Sequence, residues 1–184
     1  MRSIGLTAGL VLALFLVLPA HAQQAVPEPS GYRMSDYKAP TPATLDGKPG
    51  LSTAEAHDLW IKKAAVFVDA LPQAPKPANL APGTIWRDKP RLDIPGSTWL
   101  PDTGYGALAP VTEDYFRRGL AEATGGDKTK PVVFYCLPHC WMSWNAARRA
   151  KALGYTHVLW YPDGTVGWSA AGYPLAQTQA FPRP

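Results

Sequence analysis

After Gly50 the chain alternates short apolar runs with amphipathic stretches of helix length. Ala65 to Asp69 is a run of β-formers ending in a carboxylate, the length of a buried strand and too short for a helix. Val132 to Tyr135 and Val158 to Tyr161 read the same way. Ile94-Pro95-Gly96-Ser97 reads as a turn feeding a short strand at Thr98 to Leu100. Ser52 and Glu55 form a capping box with Leu51 as its hydrophobic staple, which predicts a first helix with Ala56, Leu59 and Trp60 facing inward. Thr112 stands as the cap of a second helix, with Glu113 and Asp114 complementing its dipole and Gly125-Gly126 ending it. Ser143 to Leu153 predicts a third, stopped at Gly154, and Gly167 to Gly172 a short last one. Strands alternating with helices predict one α/β domain over 51–184, a mainly parallel central sheet with helices on both faces.

The flanks differ in character. Arg2, the apolar run Leu10 to Leu18 and Ala20-His21-Ala22 predict a signal peptide over 1–22, cleaved after Ala22, and hence a periplasmic protein. Residues 23–50, with Pro27, Pro29, Pro40, Pro42 and Pro49, read as an extended leader on which Tyr32 and Tyr37 dock against the body. A second Pro-rich excursion runs from Leu71 to Pro95, and loops of that length without an internal element are often functional. The net charge of +4 is dispersed among acidic residues, which argues against a nucleic-acid surface. No second apolar segment is long enough to span a bilayer, so the mature chain is expected to have no membrane span.

Two cysteines, Cys136 and Cys140, follow the strand at Val132 to Tyr135 and precede the third helix. In such sheets ligands gather beyond the carboxyl ends of the strands. Free N–H groups and the helix dipole at that point favour a thiolate, so a depressed thiol pKa is expected there. A structural disulfide across so short a loop removes little chain entropy, about 2 kcal/mol. Thiol exchange, sulfur handling and metal binding therefore stay open beside it. His139 and Met142 flank the pair, and with the two sulfurs they compose a soft-ligand set suited to Cu(I). Trp141, inside the loop, is a candidate binding residue. Asp69 and Asp163, at strand ends, are candidates for orienting the loop or binding solute.

From about Ser52 to Leu175 the order resembles a rhodanese-like domain. The residues carrying the resemblance are Phe67-Val68-Asp69, Ile94-Pro95-Gly96-Ser97, Val133-Phe134-Tyr135-Cys136 and Ala152-Leu153-Gly154-Tyr155, with Gly167-Trp168 closing it. The resemblance implies a nucleophilic Cys136. It departs at the active loop, where that family commonly has Cys-x-x-Gly-x-Arg: His139 and Trp141 replace the Gly and the Arg. The stretch Cys136-Leu-Pro-His-Cys140-Trp141 with Trp160-Tyr161-Pro162-Asp163-Gly164 is similar to the PQQ-dependent catabolism-associated CXXCW motif proteins. That likeness implies a periplasmic role beside a quinoprotein dehydrogenase or cytochrome c system. With it, Cys136 is expected to attack and Cys140 to resolve.

Overall fold

A computed structural model describes residues 26–183; the expected signal peptide lies outside the described residues. Four parallel strands form the central sheet in the order β5-β3-β6-β7, where β3 is Val66–Asp69, β5 Thr98–Trp99, β6 Val132–Tyr135 and β7 Val158–Tyr161. Asp69, Tyr135 and Tyr161 share one register line, so three strands end level with one another. All four residues of β6 are buried, which explains its unbroken apolar run: a central parallel strand is covered on both sides.

The two-residue period of the strands sorts the core. Val68, Phe134 and Trp160 pack with Phe116, Leu120 and Trp144 of helices α2 (Pro110–Thr124) and α3 (Trp141–Ala152). Phe67, Val133, Tyr135 and Tyr161 pack with Ala56 and Trp168 of α1 (Thr53–Ile61) and α4 (Gly164–Ala170). Helices thus cover both faces, as the pattern predicts.

Local signals account for most boundaries. The Ser52–Glu55 capping box is formed in both directions and starts α1. The second helix begins earlier than Thr112. Its cap is Ala109, and Pro110, whose fixed φ and missing N–H suit a first helical position, leads it in. Gly125 ends it at φ 67°. Helix α3 begins at Trp141, two residues before the expected Ser143, which makes Cys140 its N-cap.

Two antiparallel pairs are additional to the pattern. Strands β1 (Thr44–Leu45) and β2 (Lys48–Pro49) form a tight hairpin over Asp46-Gly47, both at positive φ. Strand β4 (Arg91–Asp93) pairs with β8 (Ala176–Thr178), so the second Pro-rich excursion ends in a strand instead of running to Pro95.

The segment read as a leader is packed along α3. Trp141 Nε1 donates to Pro40 O at 3.1 Å and Trp144 Nε1 to Thr44 O at 3.0 Å. Arg33 and Asn145 exchange two hydrogen bonds of 2.9 Å. Among the described residues no helix is long and apolar enough to cross a membrane.

Candidate functional site

Strand β6 delivers Cys136 to the level carboxyl end of the sheet, and the chain then turns through Leu137, Pro138 and His139 into α3. His139 takes φ 54°, the left-handed conformation in which glycine is the unstrained residue. That turn brings Cys140 to the cap of α3, and Cys136, Cys140 and Met142 pack as one buried cluster with both thiols free. The loop is held from two sides. Thr165 N donates to Cys136 O at 3.2 Å, and a Cβ on Gly164 would overlap that same carbonyl. On the other side Lys38 bridges to Cys140, and Trp141 N donates to Tyr37 O at 2.9 Å.

The two sulfurs lie in different environments. Cys136 is 0% exposed and Cys140 6% exposed, and Cys140 lines a cavity of about 460 Å³. The Cys136 thiol donates to the Cys140 sulfur, and with the backbone N–H groups of Met142, Leu137 and Ser143 it pulls the Cys140 pKa down to about 7 against the cost of burial. Burial pushes the Cys136 thiol well up, and its contact with Cys140 adds to that. The lowered thiol is thus Cys140, at the helix N-terminus, and the raised one is Cys136 behind it.

Around Cys136 a small polar set is closed off from solvent. Ser143 Oγ lies 3.1 Å from Cys136 Sγ and 3.4 Å from Cys140 O, and it accepts from Trp160 Nε1 at 3.1 Å. The cavity walls on the far side of Cys140 are Leu71, Pro72, Met142, Tyr37 and Tyr105, with Lys38 and His139 as the exposed polar groups at the rim. Tyr37 and Tyr105 meet edge to face at 5.2 Å. The loop bearing Tyr105 is set by Arg149, whose guanidinium donates to the carbonyls of Thr103, Tyr105 and Gly106 at 2.7–3.0 Å. A larger cavity of about 600 Å³, at Trp60, Phe67 and Pro95, is lined by no thiol or carboxylate.

The other candidates separate. Trp141 does not face the cavity. It is buried at 2% exposure, packs edge to face on Trp144 at 5.4 Å and lies under the Arg33 guanidinium, because the first turn of α3 points it at the N-terminal segment. Asp163 is exposed at the cap of α4, where its carboxylate accepts from Thr53 Oγ1 at 3.4 Å, and it does not line the cavity. Asp69 is fully buried and so binds no solute. Its carboxylate takes the Leu71 N–H at 2.8 Å and pairs with Arg91, which also reaches Thr165 Oγ1 at 3.2 Å. Through Arg91 and Thr165 it connects to the carbonyl of Cys136. Among the described residues no three His, Cys, Asp or Glu side chains converge as a metal site. His139 is exposed on its left-handed turn and does not join the two sulfurs as a third Cu(I) ligand.

Several site residues carry no local sequence signal. Arg91 brings a cation to Asp69 from 22 residues away. Asp93 joins it beneath the loop, accepting from Tyr135 OH at 2.5 Å, with its second oxygen unpartnered. Burial first, and then the charge of Asp93, raise the Asp69 pKa to about 8 in spite of Arg91; burial raises that of Asp93 as well.

The Rhodanese-like domain family matches residues 86–171. No curated protein matches the chain. Among solved structures, the thiosulfate sulfurtransferase from Pseudomonas aeruginosa aligns with 21% identity and a TM-score of 0.48. That alignment covers 72% of this chain but only 21% of the other, so this chain spans about a fifth of its length. The polysulfide-sulfur transferase homodimer from Wolinella succinogenes aligns with 16% identity and a TM-score of 0.43, covering 68% of this chain and 76% of that one. An uncharacterized protein from Saccharomyces cerevisiae aligns with 21% identity and a TM-score of 0.42, covering 67% and 92%. The family match takes in β6, the two-cysteine loop and α3, so residues 86–171 are similar to rhodanese-like domains, and the described residues form a single α/β domain with the parallel β5-β3-β6-β7 sheet flanked by helices.

Proposed function

We propose that this protein is a thiol–disulfide exchange or sulfur-relay protein in which Cys140 attacks and Cys136 resolves. One observation carries the reading: Cys140, the N-cap residue of α3, lines the wall of a cavity with the Cys136 thiol packed against it. The Cys140 thiolate attacks a sulfur of a partner disulfide, the partner S–S bond breaks, and one partner sulfur leaves as thiolate. Cys136 then attacks the Cys140 sulfur of the mixed disulfide. A Cys136–Cys140 disulfide forms, the second partner sulfur leaves, and it takes up the proton that Cys136 gives. The partner gains two electrons and this chain loses two.

Redox titration with alkylation of the remaining thiols tests the reading. A pair that exchanges with partner disulfides at a potential above about −300 mV supports it; a more reducing pair, inert to partner disulfides, marks a structural bridge and refutes it.

The rhodanese-like match across the loop favours a second reading, relay of sulfane sulfur. Here the Cys140 thiolate takes the outer sulfur of a polysulfide as a persulfide, the shortened polysulfide leaving, and an acceptor thiolate then attacks that outer sulfur and releases Cys140 as thiolate. Mass spectrometry after treatment with a polysulfide distinguishes it, by a gain of one sulfur on Cys140 in Cys136→Ser. We further propose that the protein works in the periplasm beside a quinoprotein dehydrogenase or cytochrome c system. The signal-like residues 1–22 and the Cys-x-x-x-Cys-Trp loop support that setting. Intact mass of the exported protein tests the first part: a mass that retains residues 1–22 refutes cleavage.

A further inference from the structure

We propose that Ser143 is a catalytic residue of the resolving step, a hydroxyl that turns from the Cys140 carbonyl to the Cys136 sulfur as Cys136 gives up its proton. The assignment rests on the exchange reading above.

The resolving step has a physical obstacle. Cys136 is fully buried, and a thiolate there loses the hydration that stabilises it in water. Once Cys140 is tied into a mixed disulfide it is neutral, and Cys136 no longer has a charged sulfur to donate to. Some group inside the fold must then donate to the Cys136 sulfur. Ser143, 1% exposed, is that group by geometry, with its Oγ 3.1 Å from Cys136 Sγ.

Its surroundings leave the hydroxyl hydrogen free to choose. Trp160 Nε1 is a donor only, and at 3.1 Å it occupies a lone pair of Ser143 Oγ and orients the side chain. Two acceptors then remain within reach: Cys140 O at 3.4 Å and Cys136 Sγ at 3.1 Å. In the mixed disulfide, while Cys136 is still a thiol, its S–H turns to Ser143 Oγ and the Ser143 O–H rests on the carbonyl. When Cys136 is a thiolate, rotation about one C–O bond delivers the O–H to the sulfur, with no movement of heavy atoms. The proton of Cys136 leaves with the departing partner thiolate, so Ser143 donates a hydrogen bond and keeps its own proton.

The test uses 2,2′-dipyridyl disulfide with the reduced full chain, following thiopyridone release. Attack by Cys140 gives the first phase and resolution by Cys136 the second. In Ser143→Ala the first phase is expected to keep its rate. The second is expected to slow roughly tenfold to a hundredfold, the size of a hydrogen bond to a charged group, with its pH midpoint moved upward. Because that variant also strands Trp160 Nε1, Trp160→Phe is measured beside it. It removes the same indole hydrogen bond but leaves the hydroxyl, and its second phase is expected to slow clearly less than that of Ser143→Ala. An unchanged second phase in Ser143→Ala, or equal slowing in Trp160→Phe, overturns the assignment alone. Absence of any first phase in the unmodified chain overturns the exchange reading and the assignment together.

Discussion

Replacing Cys136 with Ala removes the donor that contributes most to the low pKa of Cys140 while leaving the helix N–H groups in place. An ordinary thiol at 9.0 is about 1% ionised at pH 7, and one at about 7 is about half ionised, a gain of about fiftyfold in thiolate. Nucleophilicity falls with basicity, with a Brønsted coefficient of about 0.4–0.5, so roughly fivefold to eightfold of that gain survives as rate at pH 7. A hydrogen bond to a charged group contributes about 1.5–3 kcal/mol, and about 1.4 kcal/mol corresponds to one pH unit. The midpoint for Cys140 in Cys136→Ala is therefore expected to rise from about 7 to roughly 8–9. Iodoacetamide alkylation from pH 5 to 10, with the modified residue identified by mass spectrometry, measures it. A midpoint that stays near 7 in the variant, or one near 9 in the unmodified protein, refutes the assignment of the thiolate to Cys140 with Cys136 as its donor.

Trp141→Ala is expected to cost about 3–5 kcal/mol, the range for a buried aromatic, and to speed tryptic cleavage after Arg33 and Lys38 as residues 26–45 come off α3; a chemical melt and limited proteolysis read both. Gly164→Ala sets a Cβ against the Cys136 carbonyl at φ 52°, so the loop must shift; slower resolution of the mixed disulfide with a lowered Tm is expected, and unchanged kinetics would count against the bracing of the loop by α4. Arg91→Met is expected to cost most above about pH 8, where Asp69 is ionised and buried without its cation, about 3 kcal/mol there, measured by urea unfolding at pH 6 and pH 9. Asp69 holds its proton to about pH 8 when folded and releases it near 3.8 when unfolded, so the folded state binds more protons between those values and stability falls as pH rises across them. Asp69→Asn is expected to flatten that slope, and a slope unchanged by the substitution would refute the buried-proton reading.

What was legible in the sequence was what lies close along the chain. The unbroken apolar run at Val132 to Tyr135, the Ser52–Glu55 box and Gly125 each specify their element through neighbours within four residues. The cysteine loop was visible for the same reason, lying between a strand and a helix. The choice between its two sulfurs was not, since it depends on where α3 starts and on which sulfur its N–H groups reach. Trp141 misled because a large aromatic in a reactive loop has the same letter whether it faces the cavity or the core. Arg91 and Tyr37 could not be assigned to the site, since they reach it through tertiary packing and no local pattern of residues encodes that.

The packing of residues 26–45 on α3 also orders events during synthesis. Arg33 and Asn145 are 112 residues apart, and neither can find the other until both have been made. At about 5–20 residues per second the N-terminal segment waits some five to twenty seconds for its helix. Cys136 and Cys140 are made only at the end of that interval, and until α3 forms after them they keep the sluggish chemistry of ordinary cysteines. Reactivity arrives with the finished fold, which shields the growing chain from trapping other proteins through its own thiols before it has a cavity to select them.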